Sequence, residues 1–270
     1  MRDAARRALA DVDLDVGFAW AVVEGLVDGE LWADRPSDPR AFHAVHPCGM
    51  SLVWGCDVAR VADGVVRHIL ERAARGTGEW LQIDQRWHGL DWDRMLDAVP
   101  LEQAAASGVG AGTVRRTRLN FAFDPGAFRD DRRDAAGAGT TQAAVRRATA
   151  ADFAWQGSNA PERFWPDAGA FLAHGGGWVA EVDGAPAALC FTAFRTGVDV
   201  EIGIETHPAF RRRGLARVAC AAMVGDVLAA DLTPVWSCRE DNTASTGLAA
   251  TLGFAVSRRL PYFEVRAAPA

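Results

Sequence analysis

The chain has 270 residues, of which 49% are hydrophobic and 24% charged, with a formal net charge of -6. That balance describes an ordinary globular protein and excludes a disordered chain, and without a basic surplus it argues against general binding to nucleic-acid phosphates. All 29 basic residues are arginine, which GC-rich codon usage explains, so no lysine amine is available as a catalytic group or acylation target.

The length exceeds that of one usual domain, and two are expected: an N-terminal α/β domain over 1–125, a linker over 126–140 and a C-terminal domain over 141–270. Arginines and aspartates precede the only short apolar run of the N-terminus, Val16 to Val23, which is too brief for a signal peptide or a membrane span. Five cysteines, an odd number without Cys-x-x-Cys spacing, suit a reducing cytoplasm better than a disulfide framework. A cytoplasmic location without a membrane partner is therefore expected.

In chain order, a helical opening over Arg2 to Leu31 leads to strands at Phe42–His46 and Met50–Gly55. A helix over Val58–Ala74 and strands at Trp80–Asp84 and Arg116–Phe123 follow. His43, His46, Cys48 and Cys56 match no zinc spacing, and strand alternation separates some of them, so no metal is expected. The glycine run 108–112 precedes a strand, not a phosphate-capping helix, and reads as a loop. The polar, glycine-rich stretch from Asp124 to Gly139 lacks apolar periodicity, as a linker does.

Beyond it, Ala144–Ala148 reads as a strand, Ala151-Asp152-Phe153 opens a helical section, and Trp178–Cys190 forms a hairpin turning at Asp183-Gly184. Trp155 and Trp165 suit either an acceptor pocket or the core, the commoner use, and His174 beside Gly175 reads as a turn residue. Val198–Thr206 is a strand rich in β-branched residues, and Leu215–Ala230 is an apolar helix. Pro234–Cys238 is a further strand, and Asn242 opens a helix that runs to Leu252-Gly253-Phe254.

Between that strand and the long helix lies Arg211-Arg212-Arg213-Gly214-Leu215-Ala216. The first turn of a helix has N–H groups without intrahelical partners and carries the positive end of the dipole, so it attracts an anion. Gly214 and Ala216 leave room for phosphate to approach the main chain, and the arginines add charge. The site reads as a diphosphate cradle.

Arg211-x-x-Gly214-x-Ala216 resembles the acetyl-CoA pyrophosphate loop of the GNAT superfamily of N-acetyltransferases. The flanking strand, the Asn242 helix and the Gly253-Phe254 ending occur in the order of that family over about residues 143 to 265. Val200 to Thr206, the Arg-Gly-Leu-Ala step and Pro234-Val235-Trp236 are most similar to a bacterial branch that includes zwittermicin-type self-resistance acetyltransferases. The resemblance implies a GNAT fold of class α/β (α+β), with a mixed, mostly antiparallel sheet flanked by helices. It allows the N-terminal part to be a degenerate GNAT-like half.

The resemblance further implies acetyl-CoA as co-substrate, held by Ile204, Thr206, Arg211, Arg212, Arg213, Gly214, Leu215, Ala216, Asn242 and Ser245. An amine with a reference pKa near 10.4 is neutral in only about one molecule per thousand at neutral pH, so acyl transfer needs a proton acceptor. Glu201 matches the general base of several family members, and Glu205 is a reserve base or a ligand for a cationic substrate. Many members carry a tyrosine seven residues after the Asn to protonate the thiolate, where this chain has Ala249. Tyr262, the only tyrosine, is a substitute candidate alongside Cys238, Ser245 and water. The implied activity is N-acetylation of a primary amine of a small, antibiotic-like metabolite by a monomer or homodimer. Protein N-acetylation and a non-catalytic acyl-CoA sensor are the alternatives.

Overall fold

A computed structural model describes residues 1–107, 112–129 and 143–268. Most of the linker expected over 126–140 and of the glycine run 108–112 lies outside these residues. The chain forms two compact units. The first comprises Met1–Leu119, Arg239–Asp241 and Arg259–Ala270, and the second comprises Asn120–Cys238 and Asn242–Arg258.

In the first unit, helices α1 (Arg2–Leu9) and α2 (Gly17–Glu24) precede strand β1 (Glu30–Ala33). The helical opening therefore stops at Glu24, where the apolar run lapses into Gly25, Asp28 and Gly29, and Leu31 belongs to a strand. Strands β2 (Ala41–Val45) and β3 (Met50–Gly55) continue the antiparallel order. Helix α3 (Val58–Ala74) then returns the chain to β4 (Glu79–Ile83), parallel to β3. Its apolar residues Val58, Val65, Ile69 and Ala73 recur at helical spacing and pack on Val53, Leu81 and Ile83, together with Phe263 and Val265 from the C-terminal end of the chain. Short helices α4 (Trp92–Met95) and α5 (Leu101–Ser107) flank β5 (Ala98–Pro100), which pairs in parallel with β6 (Thr113–Phe123).

The second unit is built on β7 (Ala143–Arg147), helix α6 (Ala168–Ala173), β8 (Gly177–Val182), β9 (Ala185–Thr196) and β10 (Asp199–Thr206). Helix α7 (Leu215–Ala229), β11 (Thr233–Val235), β12 (Ser237–Arg239), α8 (Thr243–Thr251) and β13 (Phe254–Val265) follow. The five-stranded sheet has the order β7-β8-β9-β10-β11, antiparallel except for the β10–β11 pair. Asp183 and Gly184 both have positive φ, the I′ geometry whose twist matches a two-residue hairpin. Instead of an α-helix at Ala151, a 3-10 turn over Ala150–Ala154 is closed by a Thr149/Asp152 capping box. Strands β6, β12 and β13 contribute residues to both units. Among the described residues, no helix is long and apolar enough to cross a membrane, and no cluster of metal-ligating side chains is found.

Candidate active site

The strand expected over Pro234–Cys238 is split at Trp236, and this split shapes the site. Strand β10 pairs with β11 only through Asp199↔Thr233, Val200↔Pro234 and Glu201↔Val235. Trp236 is buried, its indole Nε1 donates to Ser245 Oγ at 3.1 Å, and its carbonyl accepts from Phe121 N at 3.1 Å. The chain thus turns away from β10 at Trp236, and beyond Glu201 the outer edge of β10 has no strand partner among the described residues. On that edge the Ile204 carbonyl accepts from Asn159 Nδ2 and the Thr206 carbonyl from Arg211 Nε, so side chains rather than a strand meet these groups.

Between β9 and β10 the register shifts at Glu201/Ile202, with Ala193 as the extra residue on β9. Strand β10 keeps its alternation, and Glu201, Gly203 and Glu205 share a face. Glu201 is 8% exposed, and its Oε1 accepts from Ser237 Oγ at 2.5 Å. Ser237 was not singled out from sequence, because only the parting of β11 and β12 brings it to β10.

Glu205 is held differently. Its carboxylate accepts from Ser158 Oγ at 3.2 Å, Asn159 N at 3.1 Å, Thr206 N at 3.3 Å and Arg211 Nη2 at 3.3 Å. Asn159 Nδ2 also donates to the Ile204 carbonyl at 3.0 Å. A Cβ at Gly157 would lie 2.6 Å from Glu205 Cγ, so only glycine lets the 157–159 segment close over this carboxylate. Glu205 is a clamp that ties this segment and Arg211 to the end of β10.

After Thr206, a 3-10 turn over Pro208–Phe210 leads to the arginines. Arg211 folds back to the Thr206 carbonyl at 3.1 Å, and Arg213 lies over the Phe210 ring at 5.4 Å. Arg212 (φ 62°) and Gly214 (φ 78°) adopt left-handed conformations, which turn the chain sharply into α7. Gly214 is the N-cap, and no side chain caps the helix. The first-turn N–H groups of a 15-residue helix therefore face outward without a side-chain acceptor, beside exposed arginines. These features fit a diphosphate.

Asn242 caps α8 by accepting from Ser245 N at 3.1 Å, while Ser245 Oγ anchors Trp236. Ala249, where many relatives carry tyrosine, is fully buried, and Cys238 lies 3.6 Å from Thr246 Oγ1. Tyr262 belongs to the first unit. Its hydroxyl is buried without a partner among the described residues, and burial pushes its pKa well up. Trp155 and Trp165 are core residues, with Trp165 Nε1 bonded to the Thr192 carbonyl at 2.7 Å.

A mixed sheet whose one parallel pair parts next to an uncapped, arginine-flanked helix start defines the GNAT fold. Residues 138–263, a little under half of the chain, match the family model "GNAT acetyltransferase". Solved structures are similar over nearly the whole chain. A GCN5-related N-acetyltransferase-like protein from Streptococcus suis is 18% identical with a TM-score of 0.67, covering 98% of this chain and 100% of its own. A GNAT-family acetyltransferase from Colwellia psychrerythraea (12%, TM-score 0.56, 98% and 94% covered) and a GCN5-related N-acetyltransferase from Kribbella flavida (16%, 0.55, 97% and 95%) share the fold. No curated protein matches the sequence.

Proposed function

We propose that the chain is an acetyl-CoA-dependent N-acetyltransferase acting on the primary amine of a small, antibiotic-like metabolite, as in the zwittermicin-type branch. The observation that carries this reading is that β10, which β11 leaves beyond Glu201, leads through the arginine turn to the uncapped start of α7. Acetyl-CoA supplies an activated thioester. The first-turn N–H groups from Leu215 onward, with Arg212 and Arg213, would hold its diphosphate, and the β10 edge at Ile204 and Thr206 would hold the pantetheine arm. Glu201, oriented by Ser237, takes the proton from the attacking amine, either directly or through one water. No covalent enzyme intermediate is required, since a positioned neutral amine attacks the thioester carbonyl itself, the C–S bond breaks as the amide bond forms, and the departing coenzyme A thiolate would take its proton from water.

Ala249 in place of a thiolate-protonating tyrosine supports a second reading, a non-catalytic acyl-CoA sensor. Thiol release from acetyl-CoA, measured over a panel of small amines, tests both. Turnover that Glu201→Gln abolishes supports the enzyme. Tight acetyl-CoA binding without turnover on any amine supports the sensor, and turnover on protein amines alone supports protein acetylation.

A further inference from the structure

The outer edge of β10 carries its own stand-ins for a strand. His207 N donates to the Ala187 carbonyl at 2.9 Å, which makes His207 and Ala187 a hydrogen-bonded antiparallel pair. Such pairs alternate along a ladder, so Gly203 and Glu205 turn their main-chain groups to β9, and Ile204 and Thr206 turn theirs to the outer side that β11 has left. There Asn159 Nδ2 donates to the Ile204 carbonyl at 3.0 Å, and Arg211 Nε donates to the Thr206 carbonyl at 3.1 Å. Each contact has the form of a ladder bond, an N–H meeting an outward carbonyl, but a side chain makes it.

The segment that carries Asn159 is pinned at both ends and gripped between them. Trp155 and Ala160 are buried, whereas Gln156, Gly157 and Ser158 are exposed and Asn159 is half-buried. Ser158 Oγ and Asn159 N both donate to Glu205 Oε2, at 3.2 and 3.1 Å, over a glycine whose Cβ would lie 2.6 Å from Glu205 Cγ. The main chain is therefore fixed against the carboxylate, and the Asn159 carboxamide reaches the edge on its rotatable side-chain bonds alone. One neutral hydrogen bond of this kind is worth only about two- to tenfold in an equilibrium, so the carboxamide can rotate away while the Glu205 contacts hold.

We infer that Asn159 is a displaceable plug of the coenzyme edge, and that its carboxamide competes with an amide N–H of the pantetheine arm for the Ile204 carbonyl. Pantetheine is an extended chain with amide groups, the kind of molecule that adds to a strand edge. As the arm seats, the Asn159 side chain swings out. Arg211, whose side chain is 58% exposed, covers the Thr206 carbonyl in the same way. The plug holds acetyl-CoA affinity below what the edge itself would give, and the inference rests on the acetyl-CoA reading of this site.

Asn159→Ala removes the carboxamide and keeps the main-chain N–H on Glu205. In calorimetry on the full chain, this variant should bind acetyl-CoA about two- to tenfold more tightly than the unmodified chain, because the fraction of molecules with an open edge rises. ADP carries a diphosphate without the arm, and its affinity should not differ between the two proteins. In NMR of the unmodified chain with labelled asparagine, the Asn159 side-chain amide should shift toward the position of a solvent-exposed amide as acetyl-CoA saturates, and this measurement decides the matter if the variant does not fold. Equal or weaker binding of acetyl-CoA by Asn159→Ala, a parallel gain in ADP affinity, or an Asn159 amide that does not move would overturn the inference and leave the acetyl-CoA reading standing. If neither protein binds acetyl-CoA, that reading falls and the plug with it.

Discussion

Glu201 and Glu205 are two residues of the same type on one face of one strand, and their partners separate their duties. Glu201 accepts a short bond from the Ser237 hydroxyl, whereas Glu205 accepts from Ser158, Asn159, Thr206 and Arg211. Glu201→Gln should lower kcat about 10²–10⁴-fold with little change in the KM for acetyl-CoA, measured by thiol release. Ser237→Ala should cost about 0.5–1.5 kcal/mol in kcat/KM, a loss of several-fold, by freeing the carboxylate. Glu79 gives a prediction of another kind. Burial alone would raise its pKa, but His43, Ser51 and Arg72 outweigh burial and hold it below the usual carboxylate range. A value lower in the folded than in the unfolded state adds stability at pH above the ordinary carboxylate range. That contribution is lost as pH falls through the lowered value. Denaturation midpoints measured from neutral pH downward should therefore fall more steeply for the unmodified chain than for Glu79→Gln.

At the scale of elements, the start of α7 depends on a backbone conformation more than on space. A Cβ on Gly214 would meet nothing within 4 Å, but the residue sits at φ 78°. Gly214→Ala should cost about 1–2 kcal/mol, with acetyl-CoA affinity falling as the turn relaxes, and calorimetry would measure it. Gly157→Ala is the steric counterpart, since the added carbon meets the Glu205 carboxylate. It should detach the 157–159 segment and be read as a loss of thermal stability. The α7 start was legible in the sequence because its determinants are local: a β-branched strand, an arginine turn, a glycine and an apolar helix. The split at Trp236 and the extra residue at Ala193 were not, since both depend on which distant strand lies alongside. The duty of Glu205 was hidden likewise, its partners Ser158 and Asn159 being 47 and 46 residues away.

Across the whole molecule, one motif occurs twice. In each unit an antiparallel strand pair is followed by a helix and then a strand parallel to its predecessor, as β2-β3-α3-β4 and as β9-β10-α7-β11. The two copies differ where coenzyme would enter. Strands β3 and β4 remain paired from Met50↔Trp80 to Val53↔Ile83, and α3 starts behind Cys56-Asp57, a short acidic turn without arginine. A closed pair has no free edge, and a carboxylate at the helix start opposes phosphate. Calorimetry should accordingly find one acetyl-CoA per chain. The repeat was faint in the sequence because its N-terminal copy keeps the strands but lacks the arginine-glycine loop that makes the motif recognisable. The boundary between units was hidden too, since the first unit includes the C-terminal residues 259–270. There Phe263, Glu264 and Val265 pair with Leu81, Trp80 and Glu79, and Phe263 and Val265 are each 2% exposed in the core around α3. Burying such side chains contributes about 1.5–3 kcal/mol each, and their removal would also strip β4 of a paired edge. Truncation after Arg258 should therefore unfold a unit whose main remaining stretch, Met1–Leu119, lies far upstream of the deleted segment. Hydrogen exchange should show β3, α3 and β4 losing protection, and retained protection there would mean that this unit stands without its C-terminal strand.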